Sequence, residues 1–448
     1  MADSSTTIDD FRAQCEAAEV HTVEIGTPDI HGHLRGKRVP VDRFFATTLR
    51  DGVHLADAIY VMDLLNDLPD NEFINMDSGY LDCHLTVDPS SGRLLTHRPG
   101  YALMFADAYD KAHQPHFLGP RNVLATQIER CRALGVEPVM ATELEFYLCT
   151  PDWEPVQSHI QYSSLTDALV LEDALADMRA ALLGAGIEVE SSNAEYGPGQ
   201  IEINTGHGEA MLVADNTALL KSIVKQVAVS HGLRATFMPK PWTEDSGSGM
   251  HVHTSLMKDG VNVFAGADGA PNELMAGWIA GLLEHAEAMV LLGAPNANGP
   301  KRIRPFTFAP THAHWGADNR TVLARCVMEP GSSANRVEYR SAGADANPYL
   351  IMAALLAAGA DGVERDLKPP IMCEGDMYSN PGDHPALPAD LPSAITAYEA
   401  SPLAASLGEE FSRSFVSIAA GEVAQAAENS TDRDEVNDWE RARYIEHS

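Results

Sequence analysis

Thr142-Glu143-Leu144-Glu145-Phe146 decides how the rest of the chain is read. Val139 and Met140 precede it and Leu148 follows, so acidic and apolar side chains alternate. A period of two predicts a strand with Glu143 and Glu145 on one face and Leu144, Phe146 and Leu148 in a core behind it. One such strand is an ordinary solvated outer face, but the pattern returns three times downstream. Gln200-Ile201-Glu202-Ile203-Asn204 alternates polar and apolar, and Met250–Leu256 carries His251 and His253 on one face. Arg336-Val337-Glu338-Tyr339-Arg340 sets arginine, glutamate and arginine before Val337 and Tyr339. Four strands of this kind are expected to line the concave side of one curved sheet. Carboxylates with imidazoles suit divalent cations, and guanidinium forks suit phosphate and carboxylate. Glutamates packed together repel one another unless cations neutralise them. The expectation is a metal–phosphate site inside a sheet funnel.

The whole chain sets the bounds. Its 448 residues are enough for one large domain or two unequal ones, and the formal charge of −33 argues against nucleic acid and anionic membrane as partners. Such a charge could draw cationic substrates inward, or simply solvate the surface. Six cysteines (Cys15, Cys83, Cys131, Cys149, Cys326, Cys373) show no paired spacing, which fits buried thiols in a reducing compartment. The start, Met1 to Ser5, lacks an apolar leader, and no apolar run is long enough to span a bilayer. A soluble cytoplasmic protein is expected.

In chain order, residues 7–18 predict a short amphipathic helix. Strands are expected at His21–Ile25, Cys83–Val87, Leu94–His97 and Ala102–Asp107, with a hairpin over Ile30–Val39. This β-rich unit ends near Asp110–Pro120, where Pro115, Gly119 and Pro120 mark a boundary. Beyond it, helices are expected at Arg121–Leu134, Ser164–Leu183, Gly208–His231, Glu273–Leu292 and Asn347–Gly359, and through much of Pro392–Ala427. They interleave with the four funnel strands. Neither a phosphate-binding G-x-x-x-x-G-K-[ST] loop nor a dinucleotide fingerprint is present.

Five stretches, taken together and in order, resemble the glutamine synthetase superfamily. They are Thr142–Phe146; Glu195–Glu202; Phe237–Pro241 leading into Gly247–His253; Lys301-Arg302 with Asn319-Arg320; and Arg336–Arg340 followed by Asn347-Pro348-Tyr349. The resemblance implies an α+β fold. A small N-terminal β-grasp domain would occupy residues 1–115. A catalytic domain with a curved antiparallel sheet funnel flanked by helices would occupy 116–448. It also implies a dodecamer of two hexameric rings with active sites between subunits. Carried over by residue, Glu145, Glu195 and Glu202 resemble ligands of one divalent metal, and Glu143, His251 and Glu338 those of a second. Two or more Mg²⁺ or Mn²⁺ ions per site are implied, with ATP as co-substrate. Arg320 and Arg325 resemble the phosphate-contacting arginines. Arg302, Arg340 and Gly247 resemble the glutamate site, and Arg320 and Arg340 are the implied catalytic pair. His253, Ser255 and Glu190 resemble contacts to ATP. The implied chemistry phosphorylates the γ-carboxylate of L-glutamate and lets an amine displace phosphate.

The sequence departs from true glutamine synthetases where ammonium is bound. The family glutamate six residues after Arg302 is Phe308 here. The Asp-Gly-Ser-Ser aspartate is matched by Ala56, with Asp57 one residue later, and the asparagine before Gly247 is Ser246. A phenyl ring can neither balance NH₄⁺ nor accept its proton, but it can line a pocket for an alkyl or aryl amine. Phe308, Asp57 and Ser246 are therefore the expected amine pocket of a γ-glutamyl-amine ligase. Gly343–Tyr349 is also more like those ligases. A true glutamine synthetase, and a non-catalytic assembly or regulatory protein with the same fold, remain as alternatives. An amine with an apolar body and a polyamine are both open.

Overall fold

The computed structural model describes residues 7–448 except 160, 265–269, 306, 331, 430–431 and 433, and only the backbone of Ala168. The first residues, on which the absence of a leader was read, lie outside the described residues. Thr7 opens the helix Ile8–Ala17. Its side chain accepts from the Asp10 amide while the Asp10 carboxylate accepts from the Thr7 amide, and Phe11 and Cys15 turn inward. Thr22–Pro28 and Leu34–Pro40 then pair as an antiparallel hairpin, the strands passing so closely that a Cβ on Gly36 would lie 1.7 Å from the Ile25 carbonyl oxygen. The sheet runs Leu34–Pro40, Thr22–Pro28, Tyr101–Tyr109, Asp82–Val87, Val53–Ala56. Its Thr22 and Tyr101 strands are parallel. The expected Leu94–His97 strand is only Arg93–Leu94, because the Arg98 amide folds back to the Leu95 carbonyl and His97 turns to Gln226.

After the loop Asp110–Gly119 and the helix Pro120–Ala133 comes the second sheet. Its order is Trp315–Ala317, Ala324–Val327, Arg336–Tyr339, Met250–Lys258, Glu137–Cys149, Gln200–Thr205, Val189–Ala194. The four strands read from sequence are therefore consecutive neighbours. Every pair along this path is antiparallel except Trp315–Ala317 with Ala324–Val327, so the sheet is not wholly antiparallel at that edge. Leu144, Phe146, Leu148, Ile201, Ile203 and Val252 are fully buried behind it. There they meet the helix Ala210–Ser230, which in turn packs on the helix Pro348–Glu364.

Two expected helices are corrected. Ser164–Leu183 begins only at Glu172, because Ser164 and Asp167 bond to each other and start a separate turn, Asp167–Leu171. Glu273–Leu292 is two helices, Glu273–Glu284 and Ala286–Gly293, bent by 70°. The break is at His285, whose ring nitrogens engage Asp361 and Ser401 at 2.9 and 3.1 Å. No single helix among the described residues is long and apolar enough to cross a membrane. The bent pair passes on length and composition alone, and its Trp278 and Met289 are buried.

The two sheets are tied by buried polar groups. Arg121, at the start of its helix, pairs with Asp88 and Asp107 of the first sheet region and with Asp215 of the Ala210–Ser230 helix. Asn347 caps Pro348–Glu364 through Oδ1 and donates from Nδ2 to the carbonyls of Asp29 and Ile30 at 3.0 and 3.1 Å. One hydrophobic cluster runs through both sheets.

Candidate active site

Strand register builds the site. His251 lies opposite Glu143, which lies opposite Asn204; Glu145 lies opposite Glu202; and Glu338 lies between His253 and Arg325. Side chains on one face of adjacent strands stand about 5 Å apart, so alternation alone gathers these groups into a block. The ligand atoms of Glu143, Glu202 and His251 come within 4.8 Å of one another, as do those of Glu143, His253 and Glu338. Glu143 is thus common to both groups. His253, expected only as a contact to ATP, stands with the candidate metal donors. Its Nδ1 accepts from Arg336 at 3.1 Å, which assigns the proton to Nε2, 3.0 Å from Glu143.

The electrostatics divide the carboxylates. Burial alone would raise Glu143, but hydrogen bonds from His251 and His253 hold it well below the usual range. Glu338 is fully buried; against that burial Arg340, His253 and His251 hold it down to about 2. Its two oxygens are taken by Arg340 and by Arg325, the latter at 2.8 Å. Glu202 is pushed up to about 9, by burial first and then by Glu145, Glu143 and Glu195. Glu195 is pushed to about 7 by burial and Glu145. Acids crowded until they resist ionising, with imidazoles beside them, fit hard divalent cations, whose charge would relieve the repulsion.

Glu145 is fixed by the Gly249 amide, which donates to it at 2.7 Å. Gln200 reaches Glu145 and the Gly247 carbonyl at 3.4 and 3.0 Å. Beside this lies a guanidinium cradle. Arg302 is buried, donating to the carbonyls of Ser341 and Ala342 at 3.1 and 3.2 Å. A Cβ on Gly249 would sit 2.2 Å from its Nη2, and one on Gly247 2.7 Å from its Cγ. The Nε atoms of Arg302 and Arg340 are both buried without a partner, two donors suited to an anion such as a carboxylate.

The remaining expected residues scatter. Ser255 donates to the Asn335 carbonyl at 2.9 Å, Arg320 is exposed, and Glu190 is exposed at a register shift between Val189 and Ser191. The Ser246 carbonyl accepts from Tyr147, and Phe308 packs on Tyr196. Asp57 opens the short turn Asp57–Tyr60 just past the first-sheet strand Val53–Ala56, beside Asp82, its carboxyl pushed up to about 6 by burial. Among the described residues of one chain, Asp57 makes no hydrogen bond or ring contact with Phe308 or Ser246. Three residues were missed. Gln200 shares the Glu202 face, a signal that alternation carried. Tyr196 stands inside a quoted stretch without drawing a role. Tyr378 had no signal: it comes from a loop without periodicity, yet its hydroxyl donates to the Arg320 carbonyl at 3.1 Å and feels the charges of Arg340 and Arg302.

A chain whose sheet bears clustered carboxylates, imidazoles and buried arginines matches the family model "Glutamine synthetase, catalytic domain" over residues 117–444. The chain belongs to the glutamine synthetase family. It is 35% identical to a glutamate–isopropylamine ligase of a Pseudomonas species, over 96% of each chain. It is 34% identical to a gamma-glutamylethanolamide synthetase of Streptomyces coelicolor, over 98% of this chain and 96% of that one. A glutamine synthetase of Thermus thermophilus is 37% identical over 81% of each. The fold superposes on a GmaS structure described as an ADP complex with a TM-score of 0.83 and 27% identity, covering 97% of this chain and 98% of that chain.

Proposed function

We propose that the protein is an ATP-dependent ligase joining the γ-carboxylate of L-glutamate to an organic amine, giving a γ-glutamyl amide, ADP and phosphate. The observation that carries this reading is the combination of clustered carboxylates, imidazoles and buried arginines with Phe308 at the position where ammonium would need a carboxylate. The near full-length similarity to glutamate–amine ligases supports it.

Glu143, Glu145, Glu195, Glu202, His251 and Glu338 would hold two or more Mg²⁺ or Mn²⁺ ions, which when bound neutralise phosphate charge during transfer. The chain's own groups do the rest. Arg302 and Arg340, with their unpartnered Nε atoms, bind and orient glutamate. Arg320 and Arg325 would receive phosphate, and His253, Ser255 and Glu190 would contact ATP. A γ-carboxylate oxygen attacks the terminal phosphorus and ADP leaves. The amine then attacks the resulting acyl phosphate, loses a proton and expels phosphate. Splitting the step makes an unreactive carboxylate electrophilic at neutral pH.

Residues 1–115 are read as a separate β-grasp part and 116–448 as the catalytic part. The assembly is read as a dodecamer in the cytoplasm, with Asp57 serving a neighbouring subunit's amine pocket beside Phe308 and Ser246. Glutamate labelled with ¹⁸O in the γ-carboxylate tests the chemistry: one label should pass into phosphate for each γ-glutamyl amide formed. Unlabelled phosphate would overturn the acyl-phosphate route.

A further inference from the structure

Phe308 and Tyr196 are unusual places for large apolar rings. They are 48% and 42% exposed, and they pack on each other with centroids 4.9 Å apart at 59°. Their backbones come from separate turns, each clamped. Thr307 Oγ1 donates to the carbonyls of Arg302 and Arg304 at 2.5 and 2.8 Å, tethering the residue before Phe308. Phe308 itself has φ +61°, which is strained for a bulky residue and persists only where the surroundings impose it. On the other side, Gly197 packs so tightly that a Cβ would lie 1.9 Å from Tyr147 Oη, while the Tyr196 amide bonds to Glu195 at 3.3 Å. Both rings are thus presented from fixed backbones. Tyr196 adjoins Glu195 of the carboxylate cluster, and Phe308 follows Thr307, which is bonded to the Arg302 carbonyl. The ring pair joins the rims of the two halves of the site.

We propose that Tyr196 and Phe308 form one aromatic wall that determines specificity for the acceptor, and that the acceptor carries a single ammonium group on an apolar body. This rests on the ligase reading above. Aromatic faces bury alkyl surface and attract one ammonium group. Four residues before Phe308 stands Arg304, bonded to the Asp434 carbonyl at 2.6 Å, a cation that disfavours a second, distal ammonium group on this side of the wall.

Butylamine and putrescine test this directly, because they share a four-carbon body and differ by one terminal ammonium group. The wild-type enzyme should favour butylamine in kcat/KM by about tenfold or more. Tyr196→Ser and Phe308→Ser should each reduce that preference about tenfold, the loss appearing in the KM of the amine rather than that of ATP, and Phe308→Leu should restore part of it. Should a serine variant fail to fold, the wild-type ratio still decides. Putrescine equal to or better than butylamine, or a ratio untouched by the serine variants, overturns the wall while leaving the ligase intact. Turnover with ammonium alone removes the ligase reading and the wall with it.

Discussion

Gly249 shows how one missing side chain shapes the site. Its amide holds Glu145 and its bare Cα lets the Arg302 guanidinium lie beneath it. Gly249→Ala must move Arg302, and displacements near 1 Å can cost about a hundredfold in rate. Steady-state kinetics should show the KM for glutamate rising by about tenfold or more, with a smaller change for ATP; an unchanged glutamate KM would remove Arg302 from that role. Glu338 carries the opposite kind of constraint, a buried anion gripped by Arg325 and Arg340. Glu338→Gln keeps the shape and removes the charge. Turnover should fall by more than about a hundredfold, beyond the loss typical of an outer-shell partner, while size-exclusion elution stays unchanged. Appreciable residual turnover would contradict its place among the metal ligands.

At the scale of elements, Asn347 both caps a helix and stitches it to the hairpin of the first sheet. Asn347→Ala should destabilise by about 1–2 kcal/mol from the cap alone, measured by urea unfolding. A change of a few tenths would mean the stitch is dispensable. The strands were legible because alternation, register and chemistry agree: Glu143, Glu202, His251 and Glu338 each stand on the polar side of an alternating stretch, and folding brings the stretches side by side. The helices were less legible. Periodicity ran through Glu273–Leu292 without showing that His285 would leave the helix to reach Asp361 and Ser401, partners 76 and 116 residues away in sequence. Tyr378 was illegible for the same reason: its place beside Arg302 and Arg340 is set by loop tethers, such as the Met377 amide on Thr321, rather than by a local pattern.

For the whole molecule, the acidic block would couple cation binding to pH. Glu195 and Glu202 keep protons in the folded state up to about 7 and about 9, against an ordinary value of 4.5. The folded protein then binds more protons than the unfolded chain above pH 4.5, so their contribution to stability falls as pH rises toward 9. Glu143 and Glu338, held low, run the other way, and their contribution is lost only as pH falls below 4.5. In chelator, Tm should therefore drop between pH 6 and 9, and added Mg²⁺ should restore more of it at the alkaline end. A Mg²⁺ effect independent of pH would contradict the electrostatic account.

The central claim is that this funnel activates glutamate for an organic amine. It is tested most directly by phosphate release from ATP with glutamate and Mg²⁺ across ammonium, methylamine, ethanolamine, isopropylamine, butylamine, aniline, putrescine, spermidine and spermine. Turnover with one organic amine well above that with ammonium is the predicted result. Ammonium leading the panel would make the protein a glutamine synthetase and contradict the reading of Phe308.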